Sequence, residues 1–454
     1  MKKTRKLLSQ NLYLFFWKTI MPQLSNHFQS RKPSAIRTAQ IEFMKRSDDT
    51  KAINTAIGNV SLPVYPAMQK RMFDLQNENS PFKNWVIKYT ATVWEKETNE
   101  AFLNIIASSW FNTDWLYSQI TDGWSQAMEL VTLWVCGKAG KDESPLLLID
   151  AAYTNYVSMA DRVGRKTISV RRTLQDDGQF TLPDISEIEK VIETKKPGAI
   201  VVIPYDNPTW QYYNLDAMKT IAELCVKYNM RMISDEAYRE FYYTDEPVSS
   251  IRGITNNEVP GIEWKRISIE TSSKVRNACG LRIWALITDS KELHEKSVAE
   301  NTAWLCSNAI GQYIFGALAH ESHIDLQARY KKQREYYFDM MNNLTQEFKN
   351  KLPWIIVSSP DASIYSVVEV KNIAKPWFDA MEFVLYCAQK WSVDINWEKY
   401  TLLVSPMTGF YKTKDWEKNP WLTQMRIAYV DTPEKMSLVP ELFTKLFQEF
   451  ENLR

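Results

Sequence analysis

An α/β fold is what the sequence predicts: a mainly parallel sheet between two layers of helices, joined to a smaller α+β domain. Three observations lead to it. From about residue 98, short apolar runs alternate with amphipathic helical stretches. Polar residues able to do chemistry stand just beyond several of those runs, where such sheets place ligands. After about residue 320 a long charged stretch gives way to shorter strands.

In chain order, the spacing predicts a helix over 125–135 ("SQAMELVTLWV"), a strand over 145–150 ("PLLLID") and a helix from Tyr156. A strand at 166–170 precedes a helix at 184–193, and the run "GAIVVIP" is the next strand. A helix at 216–228 leads to the strand "MRMISD" (230–235), and strands follow at "RISIE" and "LRIWALITD". The charged stretch 323–350 reads as a helix. Strands near "WIIVS", "SIYSVVEV" and "QMRIAYV" come next, and the last element reads as one helix, "PEKMSLVPELFTKLFQEFENL". The implied organisation is a leader at 1–33, an N-terminal segment of the small domain at 34–89, a large domain at 90–322, and the rest of the small domain at 323–454. The leader, with its basic start "MKKTRK" and the run "NLYLFFWKTIM", reads as disordered or interfacial. Its apolar run is well short of the ~20 residues that span a bilayer.

Charge separates function classes. Lys+Arg 55 against Asp+Glu 54 leaves +1, so the whole chain makes no case for nucleic acid or a polybasic membrane surface. Five scattered cysteines without a C-x-x-C pair suit reduced thiols in a cytoplasmic protein rather than disulfides or zinc. His320 and His323 read as surface residues, and no metal site is expected.

Five polar groups carry the chemistry. Asn207 follows "AIVVIP", Asp235 ends "MRMISD" with Tyr238 three residues on, Lys274 follows "RISIE" in "TSSK", and Arg282 lies eight residues further. Singly, each fits a structural ion pair or hydrogen bond. Together they supply an amine for a Schiff base, a carboxylate for a ring nitrogen, two hydrogen-bonding groups for a phenolate and a cation for a phosphate. Pyridoxal 5'-phosphate needs that set.

The strings "DNPTW", "DEAY", "TSSKVRNACGLRIW" and "MRIAYV" occur in an order that resembles the fold type I pyridoxal-phosphate enzymes, in particular the class I/II aminotransferases. The resemblance runs from about residue 34 to the C-terminus. It implies that Lys274 binds the cofactor covalently and then moves the substrate's α-proton. It also implies that Asp235 pairs with the ring nitrogen, and that Asn207 and Tyr238 hydrogen-bond the ring oxygen. Arg282 and Thr271 would hold the phosphate with the helix-opening amides near Ser125 and Gln126, and Tyr153 would stack on the ring. Arg426 would grip the substrate carboxylate with help from the backbone at Gly58. Tyr89 matches a tyrosine that reaches a neighbouring subunit's phosphate, which implies a homodimer with its site at the interface. Ser272 and Ser273 stay outside the expected set.

One departure from the family is systematic. Trp210, Trp284, Trp94 and Trp124 stand where glycine is usual, and Trp110, Trp115, Trp134, Trp304, Trp397, Trp416 and Trp421 stand in turn-like or small-residue contexts. The chain has 17 Trp and only 13 Gly, against roughly thirty glycines at ordinary usage. Such replacements cost ~1–3 kcal/mol each through overpacking or strained backbone. The reading is that many of these are native glycines, encoded by UGA and translated as tryptophan. Trp264, Trp354, Trp377 and Trp391 read as true tryptophans.

The expected activity is therefore amino-group transfer between an amino acid and a 2-oxo acid by a ping-pong route. The alternatives are a carbon–sulfur lyase or decarboxylase of the same fold, since the cofactor does the hard chemistry and the pocket selects the bond. A non-catalytic homologue is a further alternative if the tryptophans are genuine.

Overall fold

The computed structural model describes residues 24–91, 95–137, 139–140, 143–182, 184–412 and 419–453. Residues up to Ser34 form one unit and Ala35–Arg454 another. In the first unit, a short helix spans Asn26–Ser30, and the Ser25 hydroxyl caps it by accepting from the Phe28 N–H at 3.3 Å.

Fourteen strands occur among the described residues of the second unit. They are β1 (Lys51–Asn54), β2 (Tyr117–Asp122), β3 (Leu146–Asp150), β4 (Thr167–Arg171), β5 (Ala199–Val202), β6 (Arg231–Asp235) and β7 (Arg266–Thr271). Then come β8 (Ile283–Thr288), β9 (Ile356–Val357), β10 (Tyr365–Glu369), β11 (Val393–Ile395), β12 (Glu398–Leu403), β13 (Ser405–Pro406) and β14 (Gln424–Ala428). The large sheet runs in the order β2-β8-β7-β6-β5-β3-β4. All neighbours from β7 to β4 are parallel, and β8 is antiparallel to both its partners.

The three layers follow from the period-2 direction of side chains along a strand. Leu146 and Leu148 of β3, and Ala199 and Val201 of β5, face one core with Ala127, Met128 and Val131 of the helix Gly123–Cys136. Leu147, Ile149, Ile200 and Val202 face the other, with Ile188 and Ile192 of the helix Ile185–Lys195 and Met218 and Ile221 of the helix Leu215–Lys227. Both faces are apolar because both are covered. Each fully buried Leu, Ile or Val contributes ~1.5–3 kcal/mol.

Two smaller sheets complete the unit. β1 pairs in parallel with β12, which is antiparallel to β11. β14 lies between β10 and β13, antiparallel to both. The long helix spans His323–Lys351, as its charge pattern predicts. The expected single C-terminal helix is two, Pro433–Met436 and Val439–Glu451. Pro440 lacks an N–H and its ring clashes with the carbonyl four residues back, so one helix cannot run through it. Another expectation needs correcting: Trp264 and Trp354 hold left-handed backbone, φ 63° and 73°, which disfavours any residue with a Cβ and contradicts reading them as ordinary tryptophans. Trp94 and Trp416 lie outside the described residues.

Candidate active site

The carboxyl ends of the parallel strands bring most of the expected residues together. The turn after β5 is fixed from below by Arg172, which is buried. Its guanidinium donates to the Asp206 carboxylate at 3.0 Å, Gln211 Oε1 at 3.0 Å and the Tyr213 hydroxyl at 2.9 Å. Asp206 in turn accepts from the Thr209 hydroxyl at 2.9 Å. This presents Asn207 outward: its Oδ1 accepts from Arg426 Nη1 at 2.9 Å and its Nδ2 donates to the Tyr238 hydroxyl at 3.4 Å.

Arg426 sits mid-strand on β14, opposite Val367 of β10 and Ser405 of β13, and is 1% exposed. Its other donor reaches the Ala56 carbonyl at 2.6 Å, and its guanidinium lies over the rings of Tyr365 (4.4 Å) and Phe410 (5.1 Å). None of these partners is an acid, and Arg426 Nε has no partner. Burial holds the guanidinium below its ordinary pKa, with the neighbouring phenols of Tyr365, Tyr238 and Tyr153 opposing. A desolvated cation among carbonyls and π faces is a binding site for an anion of fitting size.

Tyr365 links the rest. Its hydroxyl is 2.8 Å from that of Tyr238, and a Cβ at position 58 would meet it at 2.0 Å, so only glycine fits there. The Gly58 carbonyl accepts from Lys274 Nζ. Lys274, Gly58, Tyr365, Tyr238, Asn207 and Arg426 thus form one connected set from six separate stretches of chain.

Asp235 ends β6 and is buried, which pushes its carboxyl up to about 6. Its Oδ1 accepts from the Ala237 N–H at 3.2 Å. Its Oδ2 accepts from the Tyr156 hydroxyl at 2.6 Å and from the Trp124 indole N–H at 2.9 Å. Tyr153 packs edge-on against Trp124 and Tyr156, at 5.4 and 5.9 Å. Burial raises its phenol to about 12, and its field partners are Tyr365, Arg426 and Asp235, which sets it between the two groups.

At the start of the helix Gly123–Cys136, Asp122 makes no side-chain cap. Gln126 Oε1 accepts from the Asp122 N–H at 2.5 Å, and its amide donates to Asn301 at 2.6 Å. Gly123 holds φ 77°, and a Cβ there would stand 2.1 Å from Arg282 Nη2. The exposed Arg282 guanidinium therefore lies against Gly123, the first residue of the helix that also carries Ser125 and Gln126. A cation over uncapped amides is a cradle for a phosphate. Thr271, at the end of β7, is buried and accepts from the Ser273 N–H at 2.7 Å. Tyr89 is not part of this assembly: it is 78% exposed on an irregular stretch.

Tyr156 and Tyr365 are the site residues that the sequence does not reveal. Tyr156 reads as a core aromatic, and Tyr365 opens an ordinary apolar strand. Only the fold shows the first on Asp235 and the second on Gly58.

The amine, the carboxylate, the phenol–amide pair and the phosphate cradle suit pyridoxal phosphate. One side chain does not: the Trp124 indole N–H already occupies an oxygen of Asp235, the carboxylate that would serve a ring nitrogen. Among the described residues no cluster of His, Cys, Asp or Glu could hold a metal ion, and no helix is long and apolar enough to cross a membrane.

Residues 120–433 match the family model "Aminotransferase class I and II". The chain is 24% identical over 327 residues to human kynurenine–oxoglutarate transaminase 3, covering 68% of this chain and 65% of that one. It is 21% identical over 313 residues to an aspartate aminotransferase of Musicola paradisiaca, covering 68% and 72%. The matched stretch thus spans about two thirds of the length of these relatives. Among solved structures, an aspartate aminotransferase of Thermus thermophilus superposes with TM-score 0.74 at 18% identity, over 94% of this chain and all of that one. A Pyrococcus horikoshii kynurenine aminotransferase does so with TM-score 0.74 at 18% identity, over 95% and 98%.

Proposed function

The chain belongs to the class I and II aminotransferases, a pyridoxal-phosphate-dependent family of fold type I, and we propose that it transfers an amino group between an L-amino acid and a 2-oxo acid. The observation that carries this is Arg426: a buried guanidinium with no acid among its partners, tied through Asn207 and Tyr238 to the set that contains Lys274.

The residue roles follow from their chemistry. Arg426 binds the substrate carboxylate with both terminal nitrogens, which orients the α-carbon, and the backbone at Gly58 assists. Lys274 Nζ anchors the cofactor and moves the proton at that carbon. Asp235 carries negative charge toward the ring nitrogen, while Asn207 and Tyr238 donate to the ring oxygen. Tyr153 covers the ring face. Arg282, Thr271 and the amides of Ser125 and Gln126 hold the phosphate. When bound, pyridoxal phosphate supplies the electron sink that makes the α-proton removable.

Tyr89 is read as reaching the phosphate of a second subunit, so the working form is a homodimer with its site at the interface, in the cytoplasm. Residues 34–89 and 323–454 are read together as the small domain, supported by the pairing of β1 with β12.

The test is direct. The purified protein, given an L-amino acid donor and a 2-oxo acid acceptor with cofactor, should form the acceptor's amino acid, and Lys274→Ala should not. Release of ammonia or carbon dioxide without amino transfer would overturn this reading.

A further inference from the structure

Fourteen of the 17 tryptophans lie within the described residues, the others being Trp17, Trp94 and Trp416. Seven of those fourteen hold left-handed backbone: Trp85 (φ 60°), Trp110 (68°), Trp115 (63°), Trp210 (71°), Trp264 (63°), Trp354 (73°) and Trp397 (66°). Only a few per cent of non-glycine residues sit at positive φ, and for a bulky side chain it is a true outlier. Half of a residue type in that region is no property of tryptophan. It is a property of glycine.

We propose that these seven positions, together with Trp124, are glycine in the protein its own cell makes. UGA codons read there as glycine have been rendered as tryptophan in this sequence.

The turns support this individually. Asn396 and Trp397 form the two-residue connection between β11 and β12, whose flanking residues Ile395 and Glu398 pair. Both hold positive φ, 50° and 66°. That is the type I′ turn, for which Asn-Gly is the preferred sequence. Asn84 before Trp85 and Asp114 before Trp115 repeat the Asn/Asp-then-glycine pattern of tight turns. Trp210 adds a second penalty: it is wholly buried and its indole N–H has no partner.

Trp124 has no left-handed backbone. Its argument is chemical and rests on the proposed function. Its N–H takes Asp235 Oδ2, and its ring stands edge-on to Tyr153, the residue read as stacking on the cofactor. Glycine at 124 would free both. Trp377 and Trp391 serve as the contrast: neither is left-handed, and they pack on Phe450 (5.5 Å) and Tyr386 (5.4 Å) as ordinary core aromatics do.

The gene and the native protein decide the matter. UGA codons at the eight positions, UGG at 377 and 391, and tryptic peptides from the native source with glycine masses at the eight are the expected result. UGG codons at the seven left-handed positions would overturn the proposal. A second measurement compares two recombinant chains, one with tryptophan and one with glycine at all eight positions. The glycine chain should melt at higher temperature without cofactor, and with pyridoxal phosphate it should develop a visible absorption band that the tryptophan chain lacks. Equal melting of the two chains counts against the proposal. A stabilised glycine chain without the band supports the seven turns, and its failure falls on the proposed function and on position 124 alone.

Discussion

The turn after β5 and the turn between β11 and β12 bend the chain through nearly the same backbone, at Trp210 and Trp397, φ 71° and 66°. Their surroundings are opposite. Trp210 is 0% exposed and stacks on Tyr429 at 5.4 Å, beside the network that holds Asn207. Trp397 is 103% exposed, in a turn that holds none of the site residues. The path of the main chain is thus set by the connection being made, whereas the environment decides only whether a side chain there is crowded or idle. It follows that the first turn couples stability to chemistry and the second does not.

The largest effect that sharpens this contrast is Lys274→Ala, made like the other variants below in a chain that already carries Trp124→Gly. Amino transfer should vanish while the melting temperature barely moves, giving the zero against which both turns are measured.

Next is the pH dependence of stability at the buried end. Burial raises the Asp235 carboxyl to about 6 from an ordinary 3.8, so between those values the folded protein holds a proton that the unfolded chain has lost. Stability therefore falls as pH rises through that window and is level above it, by roughly 3 kcal/mol. Chemical denaturation at pH 4 and pH 7 should show Asp235→Asn gaining on the parent by about that much. Beside the other turn, Glu398 is held below its ordinary pKa by its hydrogen bond to Lys51. Its contribution has the opposite sign, being lost at low pH, and exposure to solvent keeps it small.

Third, Asn207→Ala removes one partner each from Arg426 and Tyr238, a cost of about 1–3 kcal/mol. Amino transfer should drop roughly tenfold to a hundredfold in kcat/KM. Asn396→Ala should leave kcat/KM unchanged. A drop there would break the contrast.

The smallest effect has the clearest sign. Trp397→Gly should stabilise by about 1 kcal/mol, because relief of the left-handed backbone loses no packing. The midpoint of urea unfolding reports it, and no gain would show that the hairpin tolerates the indole.

Much of this was legible in the residues. The strands β3 to β8 and the helices between them follow from the apolar spacing. The order of the sheet does not, because β2 pairs with β8 across at least 160 intervening positions, and its sequence "YSQITD" has no strong alternation. Lys274, Asp235, Asn207, Tyr238 and Arg426 stood out by their strand-end or strand setting and their motifs. Tyr365 did not, since its role is a contact with Gly58, 307 residues away in the chain. Trp264 and Trp354 misled because Glu263 and Pro353 before them are not Asn or Asp, so the turns carry no local signature.

The parallel pairing of β1 with β12 has a consequence for biosynthesis. Thr55 hydrogen-bonds Leu403, 348 residues later. At ribosomal speeds of ~5–20 residues per second, the early strand waits on the order of twenty seconds to a minute for its neighbour. Until then its unpaired edge, with Ile53, is exposed on the nascent chain and open to wrong partners. Translation that halts anywhere before residue 400 leaves that edge permanently open, so truncated products should need chaperones or be degraded.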